Sequence, residues 1–343
     1  MDVFFFIVLV LGVYGMKVAP RRQIWNKDGL EREASSSLRG LMSILIVLDH
    51  SALLTECGYS IIVLKRIGPY VVALFYALSA YGLLSSYRNN DCSLKLFWNK
   101  RTHGTLLPYL LAYLMAVAVR LLLREQLTAK AILMSFINGK PLLLYSWFIE
   151  TIMVFYLIFY FAARIAKRDL TFLIVLVFFV LFFYAFVMHM LGFSDYWFNA
   201  AWAFPLGLLW QLFYQRITAA FRKHPGWYLA ISGSVALWLT TISEHFFWFS
   251  YLARLFSTLA VAVFVLLLLL KIKIVNPVLR FWGRISMEIY LLHGMLVLIL
   301  TQFLSPSEQP YLFAGVLLIG TMLIAVLFSA GYKKLLTGLR IRR

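Results

Sequence analysis

Arg39 and His50 are the residues whose types and spacing point most directly to chemistry. They stand eleven residues apart in "SLRGLMSILIVLDH", residues 37–50. At about 100° per residue, eleven residues return to within roughly 20° of the starting direction, so a helix carries both on one face. A rise of about 1.5 Å per residue separates them by roughly 16 Å along the axis. One end of that stripe holds a permanent cation suited to an anionic ligand. The other holds an imidazole that takes or gives a proton near neutral pH. Asp49 adjoins His50 in sequence but is turned about 100° away on a helix, so adjacency alone predicts no catalytic pair.

The elements that must position this stripe follow from composition. Of 343 residues, 63% are hydrophobic and 13% charged, against about 25% charged in average chains. This predicts an all-α polytopic membrane protein and excludes a soluble domain; apolar runs this long, without alternation, also exclude a β-barrel. Runs of about 17–25 apolar residues lie near 3–19, 38–56, 67–87, 104–123, 145–164, 170–191, 196–215, 226–243, 248–270, 284–304 and 310–332. They predict eleven transmembrane helices. The first has neither a basic n-region nor a small-x-small cleavage site, so it reads as a helix rather than a signal peptide.

Charge orients these spans. With the N-terminus outside, the junctions at 17–39, 88–101, 164–168, 216–223, 271–284 and 333–343 hold 25 of the 32 Lys and Arg residues, and the opposite side holds six. That asymmetry follows the positive-inside rule and places the C-terminus and Arg39 in the cytoplasm. The net charge of +18 is then a consequence of topology, and no nucleic-acid partner is expected. Cys57 and Cys92 fall on opposite sides of the bilayer, unable to bridge, and no metal-ligand spacing is present. His50 comes to lie near or just past the bilayer midplane. Ionisable groups at that depth cost several kcal/mol by most estimates, about 3 on insertion scales, so they face a protected interior. Arg254 lies within or near a span, where it either snorkels outward or pairs with Glu244.

Further motifs follow in order: "LFYALSAYGLLSSY" at 74–87, "KLFWNKRTHGTLLPYLL" at 95–111, "YSWFIETIMVFYLIFY" at 145–160 and "GRISMEIYLLHG" at 283–294. Together with the arginine, ten residues and histidine of 39–50, they resemble the membrane acyltransferase-3 family in order and approximate spacing. The resemblance covers about 38–332. It implies a ten-helix acyltransferase core at 38–332, preceded by an extra N-terminal helix and basic loop at 1–37 and followed by a basic tail at 333–343. Two positions depart from the family pattern: Gly104 stands where a second Lys or Arg is common, and Ala80 where Gly is usual.

What the resemblance implies is transfer of an acyl group, commonly acetyl from acetyl-CoA, to a hydroxyl of a cell-envelope glycan or related acceptor, in a bacterial plasma membrane. Arg39 and His50 match the family's required pair. Lys100 and Arg101, with Arg39, are expected to clamp the phosphates of acyl-CoA through charge-assisted bonds. His50 is expected to act as general base on the acceptor hydroxyl, or as an acyl-carrying nucleophile. Glu150 is expected at the outer end of its span, against the acceptor. His293, which matches a family position in the penultimate span, is expected at a depth similar to His50 in a functional or site-orienting role; with Ser79 and Tyr81, expected to line the core, it joins Glu150 as a candidate substrate-binding residue. No metal is expected. Buried His and Glu residues and a basic cytoplasmic face also suit a proton-coupled transporter or flippase, although no related halves are visible in the sequence.

Overall fold

In lipid, every backbone N–H and C=O must be satisfied within the protein, which leaves helices as the available structure for these apolar runs. A computed structural model describes residues 1–20, 23–25, 29–89, 94–245 and 250–338. Cys92, the side chain of Glu244 and the terminal Arg340, Arg342 and Arg343 lie outside the described residues.

The first apolar run forms α1 (Asp2–Val13), twelve residues or roughly 18 Å, which is short of a bilayer core of about 30 Å. The chain then turns through Gly15, whose φ is +78°, into a short strand, β1 (Met16–Val18). A Cβ at Gly15 would lie 2.4 Å from the Val275 carbonyl oxygen, so both the backbone angle and the space call for glycine.

Next come α2 (Arg32–Thr55) and α3 (Ile61–Arg88), a hairpin joined at residues 56–60. The basic segment then builds α4 (Leu94–Arg101), a π turn (Thr102–Leu106) and α5 (Leu107–Leu122) as one helical rod. Pro108 explains the π turn: it cannot donate to the carbonyl one turn back and its ring crowds that carbonyl, so the turn widens. A short α6 (Ala129–Ile137) leads to α7 (Trp147–Ala166) and α8 (Leu170–Met190). Two 3₁₀ turns and α9 (Ala203–Leu212) follow, then α10 (Tyr214–Lys223), α11 (Pro225–His245) and α12 (Ser250–Lys271). Strand β2 (Ile272–Ile274) pairs antiparallel with β1, Lys17 opposite Lys273. The chain closes with α13 (Pro277–Arg284), α14 (Ser286–Leu300) and α15 (Pro310–Gly338).

The all-α membrane reading holds, but the count of eleven does not follow from the described residues. Seven helices are long and apolar enough to cross a membrane, or eight if α13 and α14, bent by 73° at their junction, count as one span. The expected span at 196–215 is divided between two 3₁₀ turns, α9 and α10. α11 has the length, but Ser232, Ser234, Thr240 and Thr241 dilute its apolar character.

α2 is the central helix, packed by α1, α3, α13, α14 and α15. Its contact with α13 is backbone against backbone. A Cβ added at Gly40 would lie 2.0 Å from the Leu279 carbonyl oxygen, and one at Gly283 would lie 1.7 Å from that of Ser36. Small residues permit such approach in membrane bundles, where tight packing replaces the hydrophobic effect between helices. The N-terminal segment runs the length of α2. Asp2 accepts from the N–H groups of Tyr59 and Ser60 beyond one end, and at the other the buried Asn276 donates Nδ2–H to the carbonyls of Leu11 and Tyr14. Asn276 also caps α13, its Oδ1 accepting from the N–H groups of Val278 and Leu279.

Candidate active site

His50 lies on α2, five residues before its end, and is 8% exposed. Its Nδ1 is 2.7 Å from Nε2 of His293 on α14, a residue with no exposed surface. The ring of Tyr145 stacks on His50, with centroids 3.7 Å apart and planes at 11°. Tyr145 sits in the turn before α7 with φ +64°, a left-handed conformation that costs a non-glycine residue about 1–3 kcal/mol and persists only where the surroundings hold it. Two contacts from α14 do so. The Tyr290 hydroxyl donates to the Tyr145 carbonyl at 2.6 Å, and Gly294 lets the helix backbone press on Leu144, whose carbonyl oxygen would be 2.0 Å from an added Cβ.

Asp49 modifies what sequence adjacency predicts. Although its Cα–Cβ direction diverges from that of His50, its carboxylate Oδ2 comes within 3.8 Å of His50 Nε2. The gap is too long for a hydrogen bond but close enough for electrostatic influence in a dry interior. Asp49 is fixed from α3, where the Gly68 N–H donates to Oδ1 at 3.0 Å.

A second group gathers roughly 16 Å away, eleven residues back along α2. Arg39 has Tyr156 of α7 and Arg101 of α4 as its electrostatic neighbours. The Arg101 guanidinium lies over the Tyr156 ring at 4.4 Å and the Phe97 ring at 5.6 Å, a cation–π arrangement. Its Nε is buried without a hydrogen-bond partner. Among the described residues no carboxylate pairs with Arg39 or Arg101. Two partly buried cations side by side repel each other, and an anion relieves both the repulsion and the lost hydration. Beside Arg101 opens a cleft lined by Ser86 and Lys100 against an apolar wall of Leu83, Phe97 and Phe159.

Of the residues predicted from sequence, Arg39, Lys100 and Arg101 thus gather at one end, and His50 and His293 meet at the other. Glu150 belongs to the histidine end, four residues into α7, where its Oε1 accepts from the hydroxyls of Ser146 at 2.7 Å and Tyr109 at 2.9 Å. Ser79 is half-buried and lies eleven residues beyond Gly68 on α3, level with Arg39 rather than His50. Tyr81 points away from the histidines; its hydroxyl accepts from the Leu30 N–H at 3.1 Å and its ring packs edge-on against Tyr214. A Cβ at Gly104 would meet nothing within 4 Å, so a larger side chain at that position would have open space. Arg254 reaches Asp195 at 3.9 Å, both about half-exposed.

Sequence reasoning missed Tyr145 and Tyr156. Tyr145 opens the "YSWFIE" motif, but only the positive-φ turn brings it onto His50. Tyr156 is the tenth residue of α7, and its meeting with two arginines depends on how three helices pack.

The sequence profile of the acyltransferase-3 family, described as an acyltransferase domain, matches residues 34–330. No curated protein and no solved structure was found to match the chain.

Proposed function

The chain belongs to the acyltransferase-3 family and is a multi-pass membrane acyltransferase; from that premise we propose that it moves an acetyl group from acetyl-CoA to a hydroxyl of a cell-envelope glycan. The observation that carries this reading is the setting of Arg39 and a buried imidazole along one helix, with Arg101 of α4 beside Arg39 and no carboxylate among the described residues paired with either arginine. Acetyl-CoA is anionic at one end and reactive at the other, joined by an extended arm. A site for it needs fixed cations and a proton acceptor separated along a path, which is what α2 supplies.

In this reading Arg39 and Arg101 take the phosphates, with Lys100 at the cleft entrance. The thioester extends toward His50. A sugar hydroxyl is a poor nucleophile at neutral pH, and removal of its proton in the transition state contributes about 10²–10⁴ in rate. His50 takes that proton as the acceptor oxygen bonds to the acyl carbon. The C–S bond breaks, and the CoA thiolate leaves with the proton that His50 returns. Glu150, held by two hydroxyls at the same end, is placed to bind the acceptor. In this reading the Arg39 end, where the Lys and Arg residues concentrate, faces the cytoplasm across a bacterial plasma membrane, so the envelope is modified without export of acetyl-CoA.

Purified protein in nanodiscs, given acetyl-CoA labelled in the acetyl group and envelope glycan, tests the reading. CoA release with labelled glycan, both lost in His50→Ala, supports it. Glycan movement across proteoliposomes with no CoA release would replace it with a carrier.

A further inference from the structure

We propose that His293 is a positioning residue for the transfer, fixing which imidazole nitrogen of His50 receives the acceptor's proton. The inference rests on the acyltransfer reading above and adds a role that His50 alone does not supply.

The two rings lie nearly in one plane. Their interplanar angle is 4° with centroids 4.9 Å apart, yet Nδ1 of His50 and Nε2 of His293 are only 2.7 Å apart. That distance is shorter than any face-to-face stacking contact, so the rings meet edge to edge through a hydrogen bond. Tyr145 covers the same face of both, at 11° to His50 and 10° to His293.

One proton occupies that contact, and either ring can own it. The contact occupies Nδ1 of His50, so Nε2 is the nitrogen left to take a proton from an acceptor. For Nε2 to do so, the shared proton must sit on His50 Nδ1, with neutral His293 protonated at its own Nδ1 and bare at Nε2. A bare Nε2 at 2.7 Å requires His50 to donate Nδ1–H. His50 then keeps its lone pair on Nε2, the nitrogen 3.8 Å from Asp49 Oδ2. The opposite tautomer would place a hydrogen on Nε2 and leave His50 with no free lone pair to act as base.

The sequence of proton moves follows. The acceptor hydroxyl gives its proton to His50 Nε2 as its oxygen bonds to the acyl carbon, and the same proton leaves on the thiol of CoA when the C–S bond breaks. Nδ1–H remains directed at His293 throughout. The carboxylate of Asp49, held by the Gly68 N–H, favours the transient imidazolium. The groups facing the pair are Asp49 from α2, Tyr145 from the turn before α7, and Tyr290 from α14.

The test compares wild type, His293→Gln and His293→Leu in acetyl transfer from acetyl-CoA, with ¹⁵N NMR of histidine-labelled protein in nanodiscs. The glutamine amide oxygen can accept Nδ1–H where Nε2 did; leucine cannot. His293→Leu is expected to lower kcat about 10²-fold or more with KM for acetyl-CoA unchanged, and His293→Gln to recover activity to within about tenfold of wild type. Wild-type ¹⁵N shifts are expected to show His50 protonated at Nδ1 and bare at Nε2, with that preference lost in the leucine variant. Equal loss in both variants, with melting temperatures like wild type, would overturn the role, as would a His50 protonated at Nε2. The tautomer readout needs no turnover. It therefore decides this inference even where the wild type releases no CoA, the outcome that removes the acyltransfer reading instead.

Discussion

At the residue scale, the two ends of α2 make separable predictions. Arg39→Ala and Arg101→Ala each remove a charged donor from the proposed phosphate site. Hydrogen bonds to charged groups contribute about 1.5–3 kcal/mol, so KM for acetyl-CoA is expected to rise roughly 10–100-fold with little change in kcat. His50→Ala is expected to do the reverse, lowering kcat at least about 10²-fold while acetyl-CoA still binds. Steady-state kinetics over both substrates, with isothermal titration of CoA, separates the two. A His50 variant whose loss lies in CoA affinity would contradict the division of labour. The pairing of Arg39 with His50 was legible because both lie on one regular helix, where spacing alone fixes direction. Asp49 was not. Helical periodicity gives the direction of Cα–Cβ, whereas the reach of a carboxylate toward a neighbouring ring depends on its rotamer, here set by a backbone N–H from α3.

At the scale of elements, the backbone contact between α2 and α13 is what holds Arg39 in place, one residue before Gly40. Gly40→Ala and Gly283→Ala each drive a methyl into a carbonyl that has no rotamer with which to yield. Each is expected to destabilise the protein by about 1–3 kcal/mol, read as a lower melting temperature in nanodiscs, with KM for acetyl-CoA raised in whatever protein folds. Asn276→Ala removes bonds from α1 and the cap of α13 together and is expected to cost at least about 1 kcal/mol. The opposite end of α1 is tied by charge. The Ser60 N–H, assisted by that of Tyr59, holds the Asp2 carboxyl below its ordinary range. A depressed folded-state pKa gives stabilisation that is present above the unfolded value, about 4, and lost as pH falls through the folded one. Asp2→Asn is therefore expected to speed hydrogen exchange at Tyr59 and Ser60 at pH 7, and wild type to match it only in strong acid. Equal exchange in both proteins at pH 7 would show the tie to be idle. Long unbroken runs such as 170–191 and 310–332 were readable as helices because hydropathy determines them. The segment at 196–215 was not, since a break into 3₁₀ turns changes the backbone path without lowering apolar content.

At the scale of the molecule, the fold arranges three helices so that their basic ends coincide. The Arg39 end of α2, the Arg101 end of the α4–α5 rod and the Tyr156 half of α7 meet on one side, while His50, Tyr109 and Glu150 lie toward the other. From the distribution of Lys and Arg over the junctions we propose that the first side is cytoplasmic. That assignment is open to direct measurement, because each side offers an exposed residue far from the chemistry. Tyr59, in the α2–α3 turn, is 94% exposed, and Lys167 is exposed just after α7. With Cys57 and Cys92 replaced by serine, Tyr59→Cys is expected to react with a membrane-impermeant maleimide in intact cells, and Lys167→Cys only after permeabilisation. The same cells give an independent check, since CoA supplied outside should not compete with the internal donor pool. Labelling in the reverse order would turn the arginines outward, where no acyl-CoA is present. The site would then have to take another anion, and transfer from a cytoplasmic thioester would fail while the fold and the histidine pair stood unchanged.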